Sequence, residues 1–389
     1  MEKPKIRFGK FNSKWKKNKL DEVVDFFDNQ RIPIDSGERK DGPYPYYGAS
    51  GIIDYVDGYI FNGEYVLLAE DGANIILRSS PIAYLSKGKF WLNNHAHIMR
   101  MKTGSNEFLI QLLEKQNYEK YNTGTAQPKL NGEVVKNITL YFPSDEEQSV
   151  IGSLFSTLDE LLASYKDNLA NYQSLKTTML SKMFPKAGQT VPEIRLDGFE
   201  DEWEKGTIGE FGSFYYGKSA PKWSVTDEAT TPCVRYGELY TKFSTKIDKI
   251  YSYTSIPKEN LKLSSGNEVL VPRVGENPLD FANCSWLSLK GVAIGEMISV
   301  YNTPNNPLFI AYYFNAKMKK EFAKRVEGGS VANLYYTYLE NISIAVPSLP
   351  EQQAIGTYFS NLDNLINSHQ EKIFQLETLK KKLLQDMFI

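Results

Sequence analysis

Displaced by 204 residues, Asn137–Phe184 lies over Asn341–Phe388 without a gap, with 19 identities in 48 positions. The matches include Pro143-Ser144 with Pro347-Ser348, Glu147-Gln148 with Glu351-Gln352, Ile151-Gly152 with Ile355-Gly356, and Met183-Phe184 with Met387-Phe388. A second match, at a displacement of 188, sets Pro4, Ile6-Arg7, Phe11 and Trp15 over Pro192, Ile194-Arg195, Phe199 and Trp203. Such a period is far longer than the roughly 20–50 residues of solenoid repeats. The chain therefore reads as a tandem duplication of a whole domain with its tail.

Both tails read as long helices. Apolar residues recur by threes and fours at Ile151, Leu154, Leu158, Leu161, Tyr165, Tyr172, Leu175 and Met179, and at Ile355, Tyr358, Leu362, Leu365, Leu376, Leu379 and Leu383. Spacing of 3.5 residues sustained this long predicts a coiled coil. Ser144 with Glu147, and Ser348 with Pro350 and Glu351, supply helix-entry chemistry of the capping-box kind. About 38 residues at 1.5 Å each make a rod of about 55 Å. Pairing of the two helices with each other, antiparallel, is expected, because each follows an equivalent domain.

The expected plan is a first variable domain (1–143), a long helix (144–184), a linker (185–192), a second variable domain (193–347) and a second long helix (348–389). The variable regions alternate short apolar runs with Gly, Asn and Asp, so they read as strand-rich and mixed. The fold class is α+β: two tandem mixed domains separated by a long antiparallel two-helix coiled coil, with pseudo-twofold internal duplication.

Composition removes several function classes. No apolar run approaches the ~18 residues of a membrane span and no apolar stretch follows the charged opening, so a cytoplasmic protein is expected. Two cysteines, Cys233 and Cys284, exclude a disulfide framework or a Cys-rich zinc site. There is no G-x-x-x-x-G-K-[ST] loop for ATP and no G-x-G-x-x-G after a strand for an adenosyl group. Asn306-Pro307-Leu308-Phe309 lacks the second proline of a methyltransferase N-P-P-[YF] box. Asp28 with Glu38-Arg39-Lys40 mimics a nuclease core, and His95 with His97 a metal pair; a solvated loop and ordinary strand residues are the expectations. Lys+Arg 45 against Asp+Glu 47 leaves a net charge of −2, so any nucleic-acid binding must come from local charge. No catalytic residue and no metal ligand is expected.

The P-x-I-R-[FL]-x-x-F-x-x-x-W openings at Pro4 and Pro192, the stretch Pro45–Ile75, Asn94-His95, the run Thr123–Leu130 and the two P-S-x-x-E-Q-x-x-I-G-x-x-F-x-x-L-D helix starts resemble the DNA-specificity subunit of type I restriction–modification enzymes. The resemblance covers essentially the whole chain. The second copy departs from the G-T-A-Q-P-K-L run, carrying Gly328-Gly329-Ser330-Val331-Ala332-Asn333-Leu334.

The resemblance implies a target recognition domain for each half of a split double-stranded DNA sequence, with the helices as a ruler. Lengthening or shortening either helix is then expected to alter the spacer and leave both half-motifs intact. It also implies two methyltransferase subunits docked on the helices, and two restriction motor-nuclease subunits joined through them. S-adenosylmethionine, ATP and Mg2+ belong to those partners, and this chain is non-catalytic. Chosen by side-chain chemistry, the candidate DNA contacts are Tyr46, Tyr47, Ser50, Arg78, Asn94, Thr125, Gln127 and Lys129 in the first domain. In the second they are Lys218, Arg235, Tyr236, Arg273, Asn277, Ser330 and Asn333. The candidate partner contacts are Glu147, Gln148, Phe155, Glu351, Gln352 and Phe359. The competing reading is a duplicated coiled-coil adaptor whose variable domains bind protein or carbohydrate.

Overall fold

A computed structural model describes residues 3–218 and 221–389. They form two compact units: Met1–Asp167 with Gln370–Ile389, and Asn168–His369. The duplicated helices are unbroken over Asp145–Lys182 and Leu349–Asp386, so each contributes its first part to one unit and its last part to the other.

In the first unit, β1 (Lys16–Lys19) pairs antiparallel with β8 (Thr139–Phe142). Between them lie β2 (Val24–Phe26), β3 (Asp41–Gly48), β4 (Gly51–Val56), β5 (Phe61–Ala69), β6 (Ala83–Leu92) and β7 (Ala96–Met101), in a sheet of order β2-β7-β5-β6-β3-β4. Strand alternation explains the two cores. Val66 and Leu68 of β5 face a core with Phe108, Leu109 and Leu112 of the helix Asn106–Glu114, while Tyr65 and Leu67 face Phe61, Phe90 and Ile98. The tight β3–β4 turn rests on Gly51, whose φ of 126° is costly for any residue with a Cβ.

The second unit repeats the plan with more irregular strands. Its ribbon joins β9 (Glu204–Thr207) to β21 (Ser343–Val346). The main sheet is built from β10 (Ser213–Tyr216), β12 (Lys246–Ile247), β14 (Glu268–Pro272), β16 (Ser285–Leu287) and β18 (Ile298–Asn302), in the order β10-β18-β14-β16-β12. A three-stranded sheet holds β11 (Thr231–Val234), β13 (Ser252–Thr254) and β17 (Ala293–Ile294). Another joins β15 (Val274–Gly275), β19 (Glu327–Gly328) and β20 (Ala332–Asn333). The helix Pro307–Lys317 starts at Asn306, whose side chain accepts from Phe309 N at 2.9 Å. The Asn-Pro that faintly resembles a methyltransferase box is thus a helix cap followed by proline at the first helical position. Both cysteines are buried and free, and burial pushes the Cys233 thiol up to about 11.

Within each unit the helix segments pair antiparallel. Lys380 meets Asp159 and Lys166 meets Glu377 in the first; Lys176 meets Asp363 and the Tyr172 ring meets His369 in the second. The seam differs from the expected one at alternate positions. The buried or half-buried ridge runs Ile151, Leu154, Phe155, Leu158, Leu162, Tyr165, Leu169 and Tyr172, so Phe155 joins Leu154 and Leu162 replaces Leu161. Leu161 (43% exposed) and Leu379 (44%) in the first unit, with Leu175 (37%) and Leu365 (40%) in the second, stay in solvent. Apolar residues at both adjacent positions leave the choice of seam to packing, not to periodicity.

The ends of the helices close the cores. Met387 and Phe388 are buried in the first unit, the Phe388 ring stacking on Phe108 (5.3 Å) with its edge contacts to Trp15 and Phe155. Met183 and Phe184 do the same in the second, Phe184 stacking on Phe359 (5.8 Å) beside Trp203 and Phe309.

Candidate nucleic-acid interface

The repeated motifs form a scaffold on which the variable loops sit. Arg7 donates Nε and Nη2 to the two carboxylate oxygens of Glu147, each at 2.7 Å, and Arg195 grips Glu351 at 2.8 and 2.7 Å. The same arginines donate at 2.6 Å to the carbonyls of Ser13 and Asp201. A bidentate, charge-assisted pair of this kind fixes orientation as well as position. It explains why a P-x-I-R opening accompanies each E-Q helix start. The Glu147 side chain is engaged there, so the expected capping box is half made: Ser144 Oγ accepts from Glu147 N at 3.4 Å.

Gln148 donates to Pro143 O at 3.1 Å and accepts from Ser105 N; Gln352 donates to Pro347 O and accepts from Asn306 N, both at 2.8 Å. Gly152 permits this close approach, since a Cβ there would lie 2.5 Å from Ser105 Oγ. Glu147, Gln148, Phe155, Glu351, Gln352 and Phe359 are all buried. They hold helix to domain and present no side-chain surface to a partner, which corrects the docking role expected of them.

Three first-domain candidates are likewise structural. Tyr46 is buried, its hydroxyl accepting from Ile34 N at 2.9 Å under the Arg39 guanidinium. Tyr47 packs between Tyr84 and Phe90. Arg78 takes a left-handed backbone (φ 53°) and ion-pairs with Glu114 at 2.9 Å, whose other oxygen accepts from Ile82 N and Ala83 N. These residues shape the loops in which they sit.

What remains converges. Ser50 of the β3–β4 turn and Gln127 line one cleft of about 420 Å³ with Asp71, Asn74, Asn93 and His95. Asn94 is exposed between the last two, and Thr125 is exposed in the loop that carries Gln127. That loop is drawn tight by Asn122 Oδ1, which accepts from Gly124 N and Lys129 N at 2.9 Å. Gly124 is obligatory, because a Cβ would sit 1.8 Å from Gln127 O. Gly72 N donates to Pro128 O at 3.0 Å and ties the loop to the sheet end. Lys129 is exposed and reaches Glu70 at 3.3 Å.

Asp71, Asn74 and Asn93 were not chosen from the sequence; they sit in Asp/Asn/Gly turns that give no sign of facing one another. His95 pairs with Asp71 at 2.8 Å, while His97 is buried between Asp28 (2.6 Å) and Leu130 O (2.8 Å). The two imidazoles thus serve separate partners. Among the described residues no cluster of three or more His, Cys, Asp or Glu could hold a metal ion. Burial raises the Asp28 carboxyl, but the hydrogen bond and charge of His97, the Ile98 N–H and Arg31 outweigh it and leave it below its usual range.

In the second domain Lys218, Arg235 and Arg273 surround the turn between β17 and β18. Lys218 N donates to Ile294 O, Gly295 N to Val234 O, and Arg273 N to Met297 O, at 2.9–3.1 Å. Gly295 passes with Arg235 Cα only 3.6 Å from where its Cβ would be. Tyr236 is exposed beside Arg235. Asn333 pairs with Val274, next to Arg273, and Ser330 is exposed in the β19–β20 turn. Asn277 caps the turn Pro278–Ala282, accepting from Leu279 N at 3.2 Å. Tyr216, missed in the sequence, stacks under Arg273, its ring centroid 4.4 Å from the guanidinium carbon. Basic groups interleaved with aromatic rings on one loop cluster are the surface chemistry of nucleic-acid binding, supplied locally despite the net charge.

The family described as "Type I restriction modification DNA specificity domain" matches residues 12–171 and again 200–378. A type I restriction enzyme specificity subunit of Haemophilus influenzae is 28% identical over 370 residues, 90% of this chain and 88% of the relative. The MjaVIII specificity subunit of Methanocaldococcus jannaschii is 23% identical over 95% of this chain and 91% of its own length. The crystal structure of a type I restriction–modification system S subunit from M. genitalium shares the fold, with a TM-score of 0.67 at 15% identity over 100% of this chain and 99% of that one. No helix among the described residues is long and apolar enough to cross a membrane. The chain belongs to the type I restriction–modification DNA specificity family, and with two such domains in tandem it is a non-catalytic subunit that recognises DNA sequence for a restriction–modification enzyme.

Proposed function

We propose that residues 1–143 and 193–347 are two target recognition domains, each reading one half of a split DNA sequence, and that the helices 144–184 and 348–389 set the number of base pairs between the halves. The observation that carries this reading is the contrast between scaffold and loops. The Arg7–Glu147 and Arg195–Glu351 grips are the same to within 0.1 Å, whereas the loops built on them, Thr123–Leu130 and Glu327–Leu334, share little. Equal mounting with unequal loops suits two readers of different half-sites. An adaptor with two copies of one binding domain is not favoured by the family match.

Two methyltransferase subunits dock on the helices, and two motor-nuclease subunits join through them. S-adenosylmethionine, ATP and Mg2+ are bound by those partners in the cytoplasm. The exposed leucines support docking sites of one kind used twice. Leu161 and Leu365 are the same position of the two copies, as are Leu175 and Leu379, and the antiparallel pairing gives each unit one member of each pair. Duplicated surfaces of this kind suit a two-copy partner.

The test is to co-express the chain with the methyltransferase subunit proposed to dock on it and to map methyladenine in the host DNA. A split motif is expected, and exchanging 193–347 for the same segment of a relative should change one half alone. A change in both halves, or in neither, overturns the two-reader assignment.

A further inference from the structure

The duplicated fold places an arginine and a glutamate at one equivalent position, and the surroundings of the two differ. In β5 and β7 Leu68 lies opposite His97; in β14 and β18 Val271 lies opposite Ser299. Two residues beyond Leu68, Glu70 donates its N–H to His95 O (2.9 Å) and accepts at its carbonyl from Leu130 N (2.7 Å). Two residues beyond Val271, Arg273 makes the same pair of bonds with Met297 O (3.1 Å) and Leu334 N (2.9 Å).

Glu70 is neutralised within its own domain. Arg31 reaches its carboxylate at 2.6 Å, Lys129 at 3.3 Å, and His97 Nδ1 lies 3.7 Å away. Among the described residues Arg273, like Arg100 and Arg235, has no carboxylate partner, whereas Arg7, Arg31, Arg39, Arg78, Arg195 and Arg325 all have one. Its guanidinium lies against the faces of Tyr216 (4.4 Å) and Tyr335 (5.5 Å). Its Nε is buried without a hydrogen-bond partner, as is the hydroxyl of Ser299, which stands where His97 stands in the first domain. Glu327, the acid on β19 across β20 from β15, is engaged by the Tyr338 hydroxyl.

A planar five-donor group held by two phenol rings has lost its rotamer freedom in advance. It is set for a bidentate acceptor, which in DNA means guanine O6 and N7 or a phosphate. The duplication discriminates between these. A place that grips the backbone would carry a cation in both domains, since every half-site presents the same phosphates. A place whose charge reverses between the copies is suited to base edges, which differ between half-sites. Asn333, paired with the adjacent Val274, adds a second base-edge side chain beside it.

We infer that Arg273 is a specificity-determining residue that reads a guanine in the half-site of the second domain. This rests on the two-reader assignment above. The experiment is methylation mapping with the chain co-expressed with its methyltransferase, comparing wild type, Arg273→Ala and Arg273→Lys. The wild-type half-motif of the second domain contains at least one G·C pair. Both variants lose discrimination at one such pair by roughly 5- to 150-fold, the span of one bidentate base contact, with the other half-motif unchanged. Arg273→Lys, which keeps charge and bulk, decides the matter if the alanine variant fails to assemble.

An intact motif in Arg273→Lys, a uniform fall in methylation at every site with no change of motif (the signature of a phosphate contact), or a second half-motif without G·C overturns the inference. Each of those outcomes leaves the two-reader assignment standing. A wild-type chain that yields no split motif overturns that assignment instead.

Discussion

Truncating Phe388 to alanine should unfold the first unit preferentially, although the residue lies more than 220 positions beyond the first long helix's entry to that unit. The ring is 3% exposed and stacks on Phe108 at 5.3 Å and 24°, with edge contacts to Trp15 at 6.2 Å and Phe155 at 5.7 Å. Loss of a buried phenylalanine costs about 3–5 kcal/mol, because transfer energy and an unfilled cavity add. The neighbours here are rings anchored on three separate elements (the opening segment, the helix Asn106–Glu114 and the first long helix), so the site cannot collapse easily. We expect about 4 kcal/mol, a large part of the 5–15 kcal/mol of a typical domain. Hydrogen exchange resolved by peptide reads this directly. Amides of β5 and β7 should exchange about three decades faster, at 1.4 kcal/mol per decade, with those of β14 and β18 unchanged. Phe184→Ala should give the mirror result. Equal loss in both units, or loss in the second from Phe388→Ala, would refute the idea that each helix end completes the core in which it is buried.

Arg7→Ala should destabilise the first unit by about 3–5 kcal/mol, because it leaves Glu147 buried and uncompensated; Arg7→Met with Glu147→Met should recover most of this in a chemical denaturation series, and a double variant as poor as the single one would contradict the explanation. Asp28 has a lowered folded pKa, so its contribution to stability is fully present above its unfolded value of about 3.9 and is lost as pH falls through the folded value. The difference in melting temperature between wild type and Asp28→Asn should therefore be largest near neutrality and shrink below about pH 4; a gap that widens in acid would show the sign to be wrong. Leu161→Asp with Leu379→Asp should weaken capture of the methyltransferase subunit at least tenfold in a pull-down titration while leaving the melting curve of the chain unchanged, and undiminished capture would remove these leucines from the docking surface.

Much of the architecture is legible in the linear chain for a simple reason: periodicity and repetition are local properties. The displacement of 204 residues exposes both long helices, their equal length and the variable segments before them. The motifs that mark the family are equally visible, but what they do is not. Glu147 and Gln148 look like exposed polar residues at a helix start, and become buried because Arg7, 140 residues away, and the loop at Ser105 come to meet them. Tyr46 and Arg78 have the chemistry of base readers and are engaged in loop geometry by Ile34 and Glu114. Conversely Tyr216 gains its place from Arg273, which sequence patterning cannot supply.

By itself the chain's order of residues determined that there are two copies of one domain and that each is followed by a long amphipathic helix. Tertiary structure alone decided which apolar stripe becomes the seam, why Met183-Phe184 and Met387-Phe388 are repeated, and which arginines are paired with an acid. The physical reason is that hydrophobic spacing along a helix is written in neighbouring residues. Whether a charge is paired or free, or a ring buried or bare, depends on groups that only folding brings within a few ångströms.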